Sequence, residues 1–175
     1  MSYGGIHYPD YSILAAGVHT TKAKGFTLAP PAPPDLVLGR IKELADRQGV
    51  RPITVAGYWY GKKAAGEREA PGEKVILYFH GGAYYMGTAE PSDMHVNIVD
   101  GILERPSSSN ESTASIERVF SIDYRLCIAV PYVPLAGSPA ALLDALAGWI
   151  YLVKELGFRT SLSPDIPREA TSHVQ

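Results

Sequence analysis

The sequence holds a single cysteine, Cys127, in 175 residues. A lone thiol cannot close an internal disulfide, so nothing here calls for an oxidising compartment. Charge of one sign is also lacking: 16 Lys+Arg stand against 18 Asp+Glu, a net charge of −2. That leaves no basic field to draw in nucleic acid or an anionic membrane surface. Long apolar runs are missing. The most apolar stretch, 142–153, is short and broken by Asp144, so no membrane span is expected. The apolar patch from Ile13 to Val18 has no Lys or Arg before it, which makes a poor signal peptide. The default setting is therefore cytoplasmic. His7, His19, His80 and His95 show no metal-ligand spacing with Cys or carboxylates, so neither a metal nor a cofactor is expected.

What is present is globular. Hydrophobic residues make up 46% and charged residues 19%, which excludes a fully disordered chain. At roughly 150 residues per domain the length fits about one domain, and such a chain can bury roughly 70% of its unfolded surface.

Residues 1–34 are rich in Gly, Pro and Tyr and end in Ala29-Pro30-Pro31-Ala32-Pro33-Pro34. Proline fixes φ and removes donors, so this segment reads as a poorly ordered arm. Residues 35–48 predict a helix, with Asp35 as cap and Gly49 as stop. Ile53 to Tyr60 reads as a strand. Val75 to Phe79 is a short continuous apolar run, the pattern of a strand buried on both faces. Asp93 to Glu104 predicts a helix on the spacing of Met94, Ile98 and Ile102. Val119 to Ile122 is a second buried-type strand. Pro139 to Leu156 is the best helix, with Ser138 as cap, Gly157 beyond its end, and Leu142, Leu146, Trp149, Val153 and Leu156 as one apolar face. Strands alternating with helices predict parallel βαβ units. Residues 159–175 are polar, carry Pro164 and Pro167, and read as a disordered tail.

The motif that carries chemistry is His80-Gly81-Gly82-Ala83 directly after the first buried strand. Two glycines in a tight turn let backbone N–H groups face a cleft without Cβ obstruction. Such donors can stabilise the oxyanion that develops in acyl transfer. The plain alternative is a strand that ends in a Gly-rich turn.

The flanking residues extend the pattern. The segment 74–87, running through Lys74-Val75-Ile76-Leu77-Tyr78-Phe79 into the His80 turn, resembles the strand and oxyanion loop of the hormone-sensitive-lipase-like branch of the α/β-hydrolases. Val119-Phe120-Ser121-Ile122-Asp123-Tyr124-Arg125-Leu126 is similar to that branch's next strand and its Asp-Tyr-Arg-Leu ending. Residues 139–158 are similar to the following helix. The resemblance spans about 52–158. It implies a partial α/β-hydrolase, a mostly parallel sheet flanked by helices, with 35–51 as a cap helix and 52–158 as the N-terminal half of the hydrolase domain. It further implies that Gly81 and Gly82 supply oxyanion-hole donors and that His80, Tyr124 and Arg125 brace the loop. The intact relative would cleave a small carboxylic ester through a serine acyl-enzyme.

The sequence departs from that family in its catalytic machinery. No Gly-x-Ser-x-Gly occurs anywhere, although the family carries its serine on that elbow, with acid and histidine later. Gly137-Ser138-Pro139 is the nearest approach. Cys127-Ile128-Ala129-Val130 replaces the usual Ala-Pro-Glu, and His173 stands in the polar tail. No catalytic residue is therefore assigned. The expectation is a chain truncated before the nucleophile elbow and inactive by itself. The alternative is a non-catalytic, degenerate hydrolase module that binds a small ester or a protein partner. Cys127 paired with His80 or His95 is better read as a small buried hydrophobe. Tyr58, Trp59 and Tyr60 are better read as alternating burial on a strand than as a stacking platform. A last expectation is self-association: without the serine-bearing strand, Val75–Phe79 is an exposed sheet edge with no charge inside it.

Overall fold

A computed structural model describes residues 25–62, 66–71, 73–84, 86–104, 116–127 and 139–159. Four strands form one sheet: β1 (Phe26–Ala29), β2 (Val55–Gly61), β3 (Lys74–Phe79) and β4 (Ile116–Ile122), in the order β1-β2-β4-β3. β3 and β4 run parallel, whereas β2 is antiparallel to both β1 and β4. The architecture is of the α/β type, but the sheet is mixed, not mostly parallel. Local apolar patterning marks a strand without encoding its direction. Here the parallel crossover is confined to β3 and β4, the one neighbouring pair joined through a helix.

That helix is α2 (Val96–Leu103); α1 is Gly39–Gln48 and α3 is Pro139–Ile150. α3 packs against β2, β3 and β4 and also against α1, while α2 packs against β4 and β2. Strand alternation separates the two faces. Trp59, Phe120 and Leu77 share a cluster with Tyr151, just past α3, whereas Tyr60 and Tyr78 meet His95, just before α2.

Several elements differ from the sequence expectation. Phe26–Ala29, assigned to a poorly ordered arm, is an edge strand paired in register with β2. The helix expected over 35–48 is a 3₁₀ turn at Pro34–Leu36 followed by α1, whose cap position is Leu38 with no side-chain bond. Its end is as expected, with Gly49 in the left-handed conformation. Met94 lies before α2 and is 83% exposed, and α2 itself turns Ile98 to solvent at 58% exposure and buries Val99 instead. α3 likewise exposes Leu142 and Trp149 and buries Ala140, Leu143, Asp144, Ala147 and Gly148. Small residues win that face because they let the helix approach the sheet. A Cβ on Gly148 would run into the Cδ1 of Ile122, 2.5 Å away. After Ile150 the helix widens into a π turn, Tyr151–Glu155. β3 is not buried on both faces: Val75 to Tyr78 are half-buried and Phe79 is exposed, because the strand lies at the sheet's end. Ser138, Gly137, His173 and the Ile128–Val130 stretch lie outside the described residues.

The core has two parts. Val55, Ile122, Leu126, Leu143, Ala147 and Ile150 fill the side toward α1. Trp59, Phe120, Tyr151, Leu152, Leu156 and Phe158 fill the other, with the Trp59 and Phe120 rings stacked at 4.8 Å. Each such large side chain contributes roughly 1.5–3 kcal/mol by burial. At the base of β4 the side chain of Arg118 is wholly buried. It donates to both carboxylate oxygens of Glu73 at 2.8 and 3.0 Å and to the carbonyl of Glu67 at 2.9 Å. Its guanidinium sits over the rings of Trp59 and Phe158 at 4.9 and 5.0 Å. A buried cation is tolerated only with such pairing.

Candidate functional site

β3 delivers its chain directly into the His80 turn, at the end of the strand where β4 also ends. The backbone reverses sharply there. Gly82 has φ +116°, and the next two residues, Ala83 and Tyr84, also hold positive φ at 52° and 65°. A Cβ on Gly82 would run into the carbonyl oxygen of Met86, so the position excludes side chains on both conformation and space. Two consecutive non-glycine residues at positive φ cost roughly 1–3 kcal/mol each and persist only where surrounding contacts impose them.

Those contacts can be named. The Tyr124 hydroxyl donates to the His80 carbonyl at 2.7 Å, and its ring stacks on the His80 ring at 4.3 Å and 10°. The Met86 N–H donates to the Gly82 carbonyl at 3.1 Å and the Cys127 N–H to the Tyr84 carbonyl at 2.6 Å. The Ala89 N–H donates to Oδ1 of Asp123 at 3.0 Å. Burial pushes the Tyr124 phenol up to about 12, with nearby Tyr84 and Asp123 adding to it. The hydroxyl therefore stays protonated as a donor throughout the neutral range.

His80 is buried, and its Nδ1 lies 2.8 Å from the Gly81 carbonyl. A carbonyl only accepts, so Nδ1 carries the proton. Nε2 is then a buried lone pair without a hydrogen bond, 3.7 Å from Oδ1 of Asp123. Burial lowers the His80 pKa, against the opposing pull of its bond to Gly81 and of Asp93. The imidazole is thus enclosed, and burial favours its neutral form. The hydrogen bonds of Arg125 among the described residues run to α3. Arg125 grips the wholly buried Asp144 of α3 through its backbone N–H at 2.7 Å and its Nε and Nη2 at 3.0 and 2.8 Å.

Gly81 is exposed, and a Cβ built on it would meet nothing within 4 Å. Among the described residues no hydrogen bond occupies the N–H groups of Gly81 and Gly82. The turn therefore offers two unspent backbone donors among the described residues, one of them beside open space. Donors so placed can bind an oxyanion.

Sequence reasoning missed the layer behind the turn. His95 Nε2 lies 3.4 Å from the Tyr60 hydroxyl, and its Nδ1 lies 3.4 Å from Oδ1 of Asp93. Tyr60 donates to the Ala89 carbonyl at 2.8 Å and Tyr58 to Glu90 at 3.1 Å. Burial lowers the His95 pKa despite Asp93, and raises the pKa of both tyrosines. The signal lay in the alternation of Tyr58 and Tyr60 along β2, which puts both hydroxyls on the α2 face. No aromatic platform faces solvent there, since Tyr58 and Trp59 are buried. Cys127 is partly buried against the α1-side core, and burial pushes its thiol up. A groove of about 280 Å³ lies between α1 and α3, lined by Val37, Ala45, Val50 and Leu143. It shares no residue with the turn. No group of three His, Cys, Asp or Glu among the described residues is arranged to hold a metal. None of the helices described is long and apolar enough to cross a membrane. Comparisons with protein-family models, curated proteins and solved structures return no match to this chain.

Proposed function

We propose that this chain carries the oxyanion loop of a carboxylic ester hydrolase of the hormone-sensitive-lipase-like branch of the α/β-hydrolases, without a serine nucleophile of its own. The observation that supports this reading is the His80 turn: two unspent N–H donors at Gly81 and Gly82, held at a strand end by the Tyr124–His80 bond. In ester cleavage the attacked carbonyl oxygen gains charge, and one well-aimed donor is worth about 3–4 kcal/mol to that transition state. Donors alone do not attack the carbonyl. With no Gly-x-Ser-x-Gly in the 175 residues, the chain by itself turns over no ester.

The test is titration of the ¹⁵N-labelled protein with a short alkylphosphonate, a tetrahedral oxyanion mimic. Saturable shifts of the Gly81 and Gly82 amide resonances are expected, with no release from a nitrophenyl ester and no labelling by a fluorophosphonate probe. Unmoved Gly81 and Gly82 resonances overturn the oxyanion reading, and stoichiometric labelling overturns the inactivity.

The buried cluster around Ile122, Leu143 and Ile150 favours a second reading, a non-catalytic module that binds a small ester or a protein partner. Transcript sequence beyond the Phe158 codon separates the two. A frame encoding an apolar strand and then Gly-x-Ser-x-Gly supports the first, and its absence supports the second.

A further inference from the structure

Each of the two buried histidines presents both ring nitrogens to acceptors. Nδ1 of His95 faces Oδ1 of Asp93, and its Nε2 faces the Tyr60 oxygen, both at 3.4 Å. The Tyr60 proton is committed elsewhere, to the Ala89 carbonyl at 2.8 Å. His80 repeats the arrangement, between the Gly81 carbonyl at 2.8 Å and Oδ1 of Asp123 at 3.7 Å. A neutral imidazole has one N–H and serves one acceptor, whereas an imidazolium has two and serves both. Among the described residues, Nε2 of His80 and Nδ1 of His95 are buried without a hydrogen bond.

We propose that the layer behind the turn is a proton switch, in which His95 takes up one proton and draws Asp93 and Tyr60 onto its two nitrogens. A charge-assisted N–H···O bond settles at about 2.7–2.9 Å, so both 3.4 Å gaps shorten on protonation. Asp93 also accepts from the N–H groups of Thr88 at 3.3 Å and of His95 at 3.1 Å, and Tyr60 holds Ala89. The segment 88–95, which follows the turn, is thereby gathered around the charged ring. His95 fills before His80, because its carboxylate is nearer and better placed. Asp93 is 21% exposed, so solvent shares the charge of that pair, while Asp123 is 3% exposed. The two rings lie 6.3 Å apart, and two imidazoliums at that range repel, so the second ring stays neutral. Asp123 also favours charge on His95, Tyr78 stacks on its ring at 5.7 Å, and Glu90 and Asp100 bear on Tyr60. Burial opposes the charge, so uptake falls below the 6.5 of a free imidazole. The switch is independent of the ester reading, since it lies behind the turn and uses neither the Gly81 nor the Gly82 N–H.

The experiment is a pH titration of the ¹⁵N-labelled full chain from about pH 7.5 downward, followed through the histidine ring nitrogens. Both nitrogens of His95 should move to imidazolium shifts in one step while His80 is still neutral. The backbone amides of Thr88 and His95 should shift at the same midpoint, because both donate to Asp93. Asp93→Asn keeps the size and removes the charge, and should lower the proton affinity of His95 about tenfold. Tyr60→Phe removes the acceptor on Nε2 and should lower it by less. A His95 ring that stays neutral until the chain unfolds overturns the proposal. So does a His80 ring that takes the proton first, or a His95 midpoint unmoved by Asp93→Asn. If a variant fails to fold, the order in which the two rings titrate in the unaltered chain decides the matter.

Discussion

The Tyr124 hydroxyl reaches back across the end of the sheet to the His80 carbonyl, 2.7 Å away, while the two rings lie stacked. The second residue after β4 thus fixes the first residue after β3. Tyr124→Phe keeps the stack and removes the donor, leaving a buried carbonyl unpaired. A loss of about 1–3 kcal/mol is expected. Denaturant melts read that loss, and hydrogen exchange at Gly81 and Gly82 should quicken with it.

The three residues that follow His80 should respond in opposite directions. Gly82→Ala forces a Cβ against the Met86 carbonyl at a φ that L-residues avoid, and should cost more than about 1 kcal/mol. Gly81→Ala puts its Cβ into open space and should be close to neutral. Ala83→Gly relieves a positive φ and should stabilise by a few tenths to about 1 kcal/mol. Thermal melts of the three variants check the order, and a destabilised Ala83→Gly would contradict the strained turn.

The Arg125–Asp144 pair is unequal, since the Arg125 side chain is 21% exposed and that of Asp144 wholly buried. Removing one partner of a buried pair costs about 3–5 kcal/mol when the charge left behind has no access to water. Arg125→Met strands the buried carboxylate, whereas Asp144→Asn strands a cation that solvent can reach. The first should therefore be the more damaging, as urea midpoints would show. Burial raises the Asp144 pKa, and Arg125 pulls it part of the way back. A raised acid binds protons more readily folded than unfolded. Its contribution thus weakens as pH rises from the unfolded value of 3.8 through the folded one, and Arg125→Met should steepen that fall.

Both central histidines titrate the other way. Burial lowers the pKa of His80 and of His95 below 6.5, so the unfolded chain takes up protons first as pH falls. Their contribution is complete above 6.5 and is lost on acidification from 6.5 toward the lowered folded values. Melting temperatures should drop between pH 7 and pH 5, and His95→Gln should flatten the drop. A profile unchanged by His95→Gln would place that pH dependence elsewhere.

Much of this was legible in the sequence, for physical reasons that also explain the misses. The runs Val75–Phe79 and Val119–Ile122 announce strands because they are too short and too apolar for anything else. His80-Gly81-Gly82 announces a turn because only glycine tolerates the backbone at Gly82. The direction of β2 was not legible, since antiparallel pairing with β4 is decided by a strand some 60 residues later. β1 hid in four residues ahead of a proline run. The large residues of α3 misled because the helix is apolar all round. Burial there follows close approach, which favours Ala140, Ala147 and Gly148 over Leu142 and Trp149. Nothing in the residues around Arg118 marks it for burial, and only its meeting with Glu73 explains why it is buried.

The strand order β1-β2-β4-β3 has a consequence for synthesis. β1 and β2 leave the ribosome as an antiparallel pair linked through α1, but β3 is made next and neither of them is its partner. It stays without a mate until β4 emerges, and β4 then zips to β2 on one side and β3 on the other. The sheet therefore closes from its middle, at residues 116–122, and late. Until then β3, with five apolar residues in six, lacks the partner strand it has in the described sheet, which is when a nascent chain is most exposed to a chaperone or to a neighbour.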